Sequence, residues 1–228
     1  MQFRSLSVVA LGTLFVVAAC SKDGDNDITG TGTTATVGFV NATSNSNLSV
    51  ANNGTVATGN GNLAFGGNSS CMVVNPNTNA LTFTNAATGA TVTGFTPTFS
   101  TGGHYTVVAY TDAAGNTQFA TLNNSFTPAS GSAGLRVFNA ASGSGNVFVL
   151  GNGATLGTDA SGVGFGSSGT FFSVPSGSQN ITFNTGTGTA TIANGGSMSF
   201  TPGTNYTLIL GPASSGSTTL RTTLVGGC

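Results

Sequence analysis

The chain has 228 residues, enough for one large or two ordinary domains, and carries very little charge: four Lys or Arg, five Asp, no Glu, and a formal net charge of −1. Binding of nucleic acid by phosphate neutralisation is excluded, because it needs clustered Lys and Arg. Low charge with much Gly, Ser, Thr and Asn is also a composition of disordered chains. The 38 % apolar content and sixteen Phe argue against that, since they recur in short alternating runs that can bury a core of sheets.

Taken from the N-terminus, Arg4 gives a short positive start, and residues 5–17 form an apolar segment of signal-peptide length. A stable membrane span needs about 20 apolar residues, so this segment is too short to be one. The residues that follow, Val17-Ala18-Ala19-Cys20, resemble the bacterial lipobox. That resemblance implies cleavage of a 1–19 signal peptide before Cys20, diacylglycerol on its sulfur and acylation of the new amino terminus. Ser21 after the cysteine implies outer-membrane rather than inner-membrane anchoring. The alternative is an ordinary signal peptide with a chance cysteine. Residues 20–34 then read as a tether: "SKDGDNDITGTGTTA" (21–35) has no periodicity, and fifteen such residues span roughly 20 Å on average. Its three Asp lack the spacing and closing Glu of a calcium loop.

Beyond the tether the chain repeats itself. "VGFVNATS" (37–44) pairs with "LRVFNAAS" (135–142), "LAFGGNSS" (63–70) with "VGFGSSGT" (163–170), "ALTFTNAATGAT" (80–91) with "NITFNTGTGTAT" (180–191), and "FSTGGHYTVVAY" (99–110) with "FTPGTNYTLILG" (200–211). A period of about a hundred residues makes each copy domain-sized and not a solenoid unit. Turn residues separate short alternating runs every 8–12 positions, which predicts an all-β fold: two tandem β-sandwich domains, immunoglobulin-like or transthyretin-like. Strands are expected in the second copy at 134–139, 146–150, 170–174, 180–184, 189–192, 206–210 and 218–224. Asn53-Gly54 and Asn152-Gly153 occupy matched sites and suit a tight hairpin turn with positive φ. The expected organisation is domain 1 at 35–123, a linker at 124–133 and domain 2 at 134–228.

"LRVFNAAS", "FFSVPSGSQNITF" and "FTPGTNYTLIL" resemble, in that order, the three blocks of the bacterial domain of unknown function 4397 family. The first copy keeps "GFVNATS" and "GGHYTVVAY" but has "VVNPNTNALTF" in the middle. The resemblance implies a cell-surface β-sandwich without an assigned activity. Where family members usually carry Asp after the first block, this chain has "NSNLSVANNG" and "GSGNVFVLGNG".

Candidate sites are few. His104 is the single histidine, so a Ser-His-Asp catalyst would have to use it; its partner in the second copy is Asn205, and a polar residue opening a strand accounts for both. Gly164, Gly166 and Gly169 satisfy G-x-G-x-x-G, but the strand-like "TFFSVPSG" follows instead of the helix a dinucleotide needs, so a turn is expected. Asp112 and Asp159 lie at non-equivalent places in Gly/Ala-rich loops, where Asp caps turns, and not as a glycosidase pair. Ligands for a metal are too few, and no cofactor is expected. Cys71 and Cys228 remain once Cys20 is spent on lipid; in an oxidising compartment they are expected to pair, the alternative being two free thiols. Tyr105, Tyr110 and Tyr206 sit in strand patterns, which favours packing over a carbohydrate platform.

These readings converge on a lipid-anchored envelope protein of the outer membrane, held by lipid on Cys20, with a non-catalytic structural or protein-interaction role. A glycan- or polymer-binding module is the alternative, and a hydrolase built on His104 a third. Envelope proteins or glycans are the expected partners, and poorly guarded edge strands leave self-association open.

Overall fold

The computed structural model describes residues 33–228 apart from 45, 58, 77–80, 158–160, 186–189, 214–216 and 218. Cys20, the leader, most of the tether and Asp159 lie outside the described residues. The described residues are all-β and belong to one compact unit, Gly32–Cys228.

The first copy contributes β1 (Ala35–Ala42), β2 (Leu48–Asn52), β3 (Thr55–Val56), β4 (Met72–Val74), β5 (Leu81–Asn85), β6 (Thr91–Val92), β7 (His104–Thr111) and β8 (Thr117–Asn123). The second contributes β9 (Ser132–Asn139), β10 (Val147–Gly151), β11 (Ala154–Thr155), β12 (Phe172–Pro175), β13 (Gly177–Thr185), β14 (Ala190–Phe200), β15 (Asn205–Pro212) and β16 (Leu220–Gly226). Each copy is two four-stranded sheets, ordered β4-β1-β7-β8 and β3-β2-β5-β6, then β12-β9-β15-β16 and β11-β10-β13-β14. The first strand of each copy runs parallel to its seventh and antiparallel to its fourth. This order is not the ABED/CFG order of the constant immunoglobulin domain.

Alternation builds each core. Val37 and Phe39 of β1, with Val107 beside them on β7, share one buried cluster with Val50 of β2 and Phe83 of β5 in the other sheet; Leu135, Val137 and Leu208 do the same with Val149 and Phe183 in the second copy. Asn53 and Asn152 both have φ 50°, followed by Gly54 and Gly153 at 74° and 82°, so the matched dipeptides close the β2–β3 and β10–β11 hairpins as type I′ turns require.

A third cluster lies between the copies. The opposite faces of β1, β7 and β8 (Val40, Ala42, Val108, Leu122) pack against those of β9, β15 and β16 (Phe138, Ala140, Ile209, Val225). The β4-β1-β7-β8 and β12-β9-β15-β16 sheets are therefore covered on both sides, and the four sheets of the described body stack as four layers. Burying a side chain such as Val40, Phe138 or Ile209 is worth about 1.5–3 kcal/mol each.

The two copies differ at one edge. β14 runs on to Phe200, well past the expected 189–192, because "ANGGSMS" pairs with β13 despite its turn-like composition. The pairing shifts register twice, and Gly195 is the unpaired residue between Asn194 and Gly196, as in a β-bulge. In the first copy β6 ends at Val92 and an irregular segment follows. There Phe95 packs on Phe83 and Phe119, with ring centroids 4.7 and 5.0 Å away.

Candidate functional site

The ends of the strands hold what chemistry the chain has. At one end lie the start of β1, where the described chain begins, the start of β7, and the tails that leave β8 and β16. Here each copy passes its tail to the other. The tail of β16 brings Cys228 to Cys71 of the first copy, and the two sulfurs are bonded. Room exists because β1 has Gly38 there: a Cβ on Gly38 would lie 2.7 Å from the Cys228 sulfur.

The tail of β8 does the converse without a covalent bond. Arg136 of β9, at the position equivalent to Gly38, donates to Asn123 O (2.6 Å), Asn124 Oδ1 (2.6 Å) and Thr207 Oγ1 (3.0 Å). Its guanidinium lies 4.5 Å from the centroid of Phe171, which stacks on Phe126 of the tail. Asn205 Nδ2 adds bonds to Asn124 O and Phe126 O at 2.9 and 2.8 Å, and Thr106 of the first copy bonds the Asn124 side chain. Arg136 is 4 % exposed, and burial pushes its guanidinium down to about 10. It remains cationic at neutral pH, held by neutral oxygens and a ring face. Nothing in its sequence context marks it, since its partners are a backbone carbonyl, an amide and a hydroxyl.

The opposite end collects the loops after β1, β5, β7, β9 and β15. The Asn of each "NA-S/T" block organises it. Buried Asn41 donates to Ser46 O (2.9 Å) and Leu63 O (2.7 Å) and accepts from Thr43 N and Oγ1; Asn139 donates to Gly145 O and Val163 O and accepts from Ala141 N. Beside the Asn41 loop, Phe65 crosses to the second copy, where Gly211 leaves space for its ring and Arg221 lies over it at 3.6 Å. Thr43, Ser44, Ser46, Asn47 and Ala64 line a shallow depression with Phe65 and Arg221. It adjoins a second depression bordered by Asn47, Asn62 and Asn85. In the second copy the equivalent residue, Phe165, packs edge-on against Tyr110 of the first.

The residues singled out from sequence are scattered. His104 is exposed at the start of β7, and its carbonyl accepts from Asn124 N. Asp112 follows the far end of that strand, eight residues and about 26 Å away at the strand rise per residue. The Asp112 carboxylate accepts from Ala114 N, Asn116 N and Gln118 Nε2; the Asn116 amide and then Gln118 hold its pKa below the usual carboxylate value. It is a turn cap. Gly164, Gly166 and Gly169 lie in a bridged turn, with Gly166 and Gly169 donating to Asn139 O and Val137 O. Tyr105 and Tyr206 accept from Ser100 N (2.9 Å) and Thr201 N (3.2 Å), tying down the turn before each seventh strand. Tyr110 is half-buried at the contact between copies, where desolvation, then the Asp112 charge, raises its hydroxyl pKa. Among the described residues no group of three or more His, Cys, Asp or Glu could hold a metal.

The family model described as "Domain of unknown function (DUF4397)" matches twice, over residues 35–150 and 135–225. No curated protein matches the chain. The first match extends through β9 and β10, so the two overlap in the strands that open the second copy. With the matches covering nearly all of the described body, the chain belongs to the domain of unknown function 4397 family, in two tandem copies.

Proposed function

We propose that the protein is a lipid-anchored, non-catalytic module of the outer membrane, held by acyl chains on Cys20, that acts through structural or protein contacts. The observation that carries this reading is the locking of the two copies: a shared apolar layer, a disulfide and a buried Arg136 pin hold them as one body. A rigid scaffold, and not a hinged cleft, is what such a construction supplies. β1 starts at the end of the body that carries the disulfide and the pin, so an anchor entering through β1 would leave the loop end for contact with partners.

The test is complementation in a deletion strain, with lipid labelling and fractionation as readouts. Wild-type chain takes up a fatty-acid probe and sediments with the outer membrane; Cys20→Ala does neither and fails to restore envelope integrity. His104→Ala is expected to restore integrity fully. A folded His104→Ala chain that cannot do so favours the hydrolase reading instead. A second reading, a glycan-binding module, has one observation in its favour, the Asn-, Ser- and Thr-lined depressions at the loop end.

A further inference from the structure

Only two arginines occur among the described residues, and they are used in opposite ways. Arg136 spends its donors inside the protein. Arg221 is exposed, holds its guanidinium carbon 3.6 Å from the centroid of the Phe65 ring and has no hydrogen bond to an acceptor among the described residues. A guanidinium so placed is held over the ring while its N–H groups are not used within the described protein, and a guanidinium fork matches a carboxylate in two parallel bonds. Its counterpart in the first copy is Gln118, which is tied to Asp112 at 3.0 Å, so the free fork is peculiar to one side of the molecule.

The surroundings narrow the ligand. Beside Arg221 lie Ser44, Ser46 and Asn47, while Thr43 is buried with its hydroxyl on Asn41 Oδ1 and Ser46 O. The adjoining depression adds Asn62, whose Oδ1 accepts from Asn47 Nδ2 at 2.9 Å, and Asn85, whose Oδ1 accepts from Ala87 N and Thr88 N. Hydroxyls and amides offer both donors and acceptors, as sugar hydroxyls do. The one aromatic face, that of Phe65, is already covered by the guanidinium, and the other apolar groups lining the depressions are the small side chains of Ala64, Ala86 and Ala87. No Asp lines either depression to repel an anion.

We propose that this groove, running from Arg221 on Phe65 to Asn47 and Asn62, binds a carboxylate-bearing glycan, with Arg221 gripping the carboxylate and the amides taking ring hydroxyls. The proposal deepens the glycan-binding reading and does not depend on the lipid anchor.

The experiment uses the full chain in detergent, with labelled hexagalacturonate as probe and a galactan hexamer as its neutral counterpart, followed by fluorescence anisotropy at low and high salt. The acidic hexamer is expected to bind at least tenfold tighter than the neutral one and to weaken with salt. Arg221→Gln is expected to lose at least tenfold, and Arg221→Lys, which keeps the charge but not the fork, to fall between. Because removing Arg221 also unstacks Phe65, Asn47→Ala and Asn62→Ala serve as a second probe and should each weaken binding of the acidic hexamer. Absence of binding, equal affinity for the two hexamers, or a folded Arg221→Gln chain that binds as wild type overturns the proposal. So do undiminished affinities in both Asn variants. None of these results bears on Cys20 labelling or fractionation, so the anchored-module reading stands or falls separately.

Discussion

Gly38 and Arg136 occupy equivalent positions of the two copies and have taken opposite tasks, one by having no side chain and the other by having the longest cationic one. Gly38 admits the Cys228 sulfur; Arg136 fills the corresponding space and captures the β8 tail. A buried cation without a carboxylate is costly, so its value lies in the acceptors it satisfies. Arg136→Ala would strand Asn123 O and Thr207 Oγ1, leave the Asn124 amide with Thr106 alone, and open a cavity beside Phe171. We expect a loss of about 3 kcal/mol or more in a denaturant titration. Arg136→Met, which fills the space but makes no bond, should recover part of that loss; equal losses in the two variants would show that the hydrogen bonds alone matter. Neither arginine's role was legible in sequence, because no acidic partner or spaced motif accompanies them. The paired Asn41 and Asn139 were visible as repeated letters, but not as the bolts that hold the loop end.

At the scale of elements the period-two pattern carried the reading. All seven strands expected in the second copy are present, with ends displaced by at most three residues except the end of β14. β11 was not anticipated, since a two-residue strand leaves no periodic trace, and β14 was cut short because its second half has turn composition. That half pairs through the bulge at Gly195, a tertiary outcome that overrides local preference. The tail after β16 is the element with the largest measurable effect. Its bridge closes a separation of 157 residues, which in the chain-entropy model is worth about 5 kcal/mol. Replacing both Cys71 and Cys228 by Ser should therefore lower the melting temperature by roughly 10 °C or more, read by calorimetry. A shift of only a degree or two would show that the β16 pairing and the interface already hold the tail.

For the molecule as a whole, sequence showed two copies but not their union. Residues such as Val40, Phe138 and Ile209 read as ordinary strand positions, and only the structure shows that their faces meet each other. A protease site placed in the 127–131 stretch tests that union. After cutting and reduction of the disulfide, the halves should still co-elute from a sizing column, because the apolar layer and the Arg136 pin remain. Val108→Asp, which buries a carboxylate in that layer, should let them part. Halves that separate without the mutation would mean that the covalent links do most of the holding.

The placement of β1 has a mechanical consequence. The strand by which the chain enters the body lies inside its sheet, with β4 on one flank and β7 on the other, the latter in register over seven residue pairs. A pull on the N-terminal end, resisted at the loop end, runs along β1 and stresses both ladders sideways at once, so the bonds must fail together and not one after another. Tension applied along β1 thus meets the concerted resistance of two ladders instead of the stepwise opening of one.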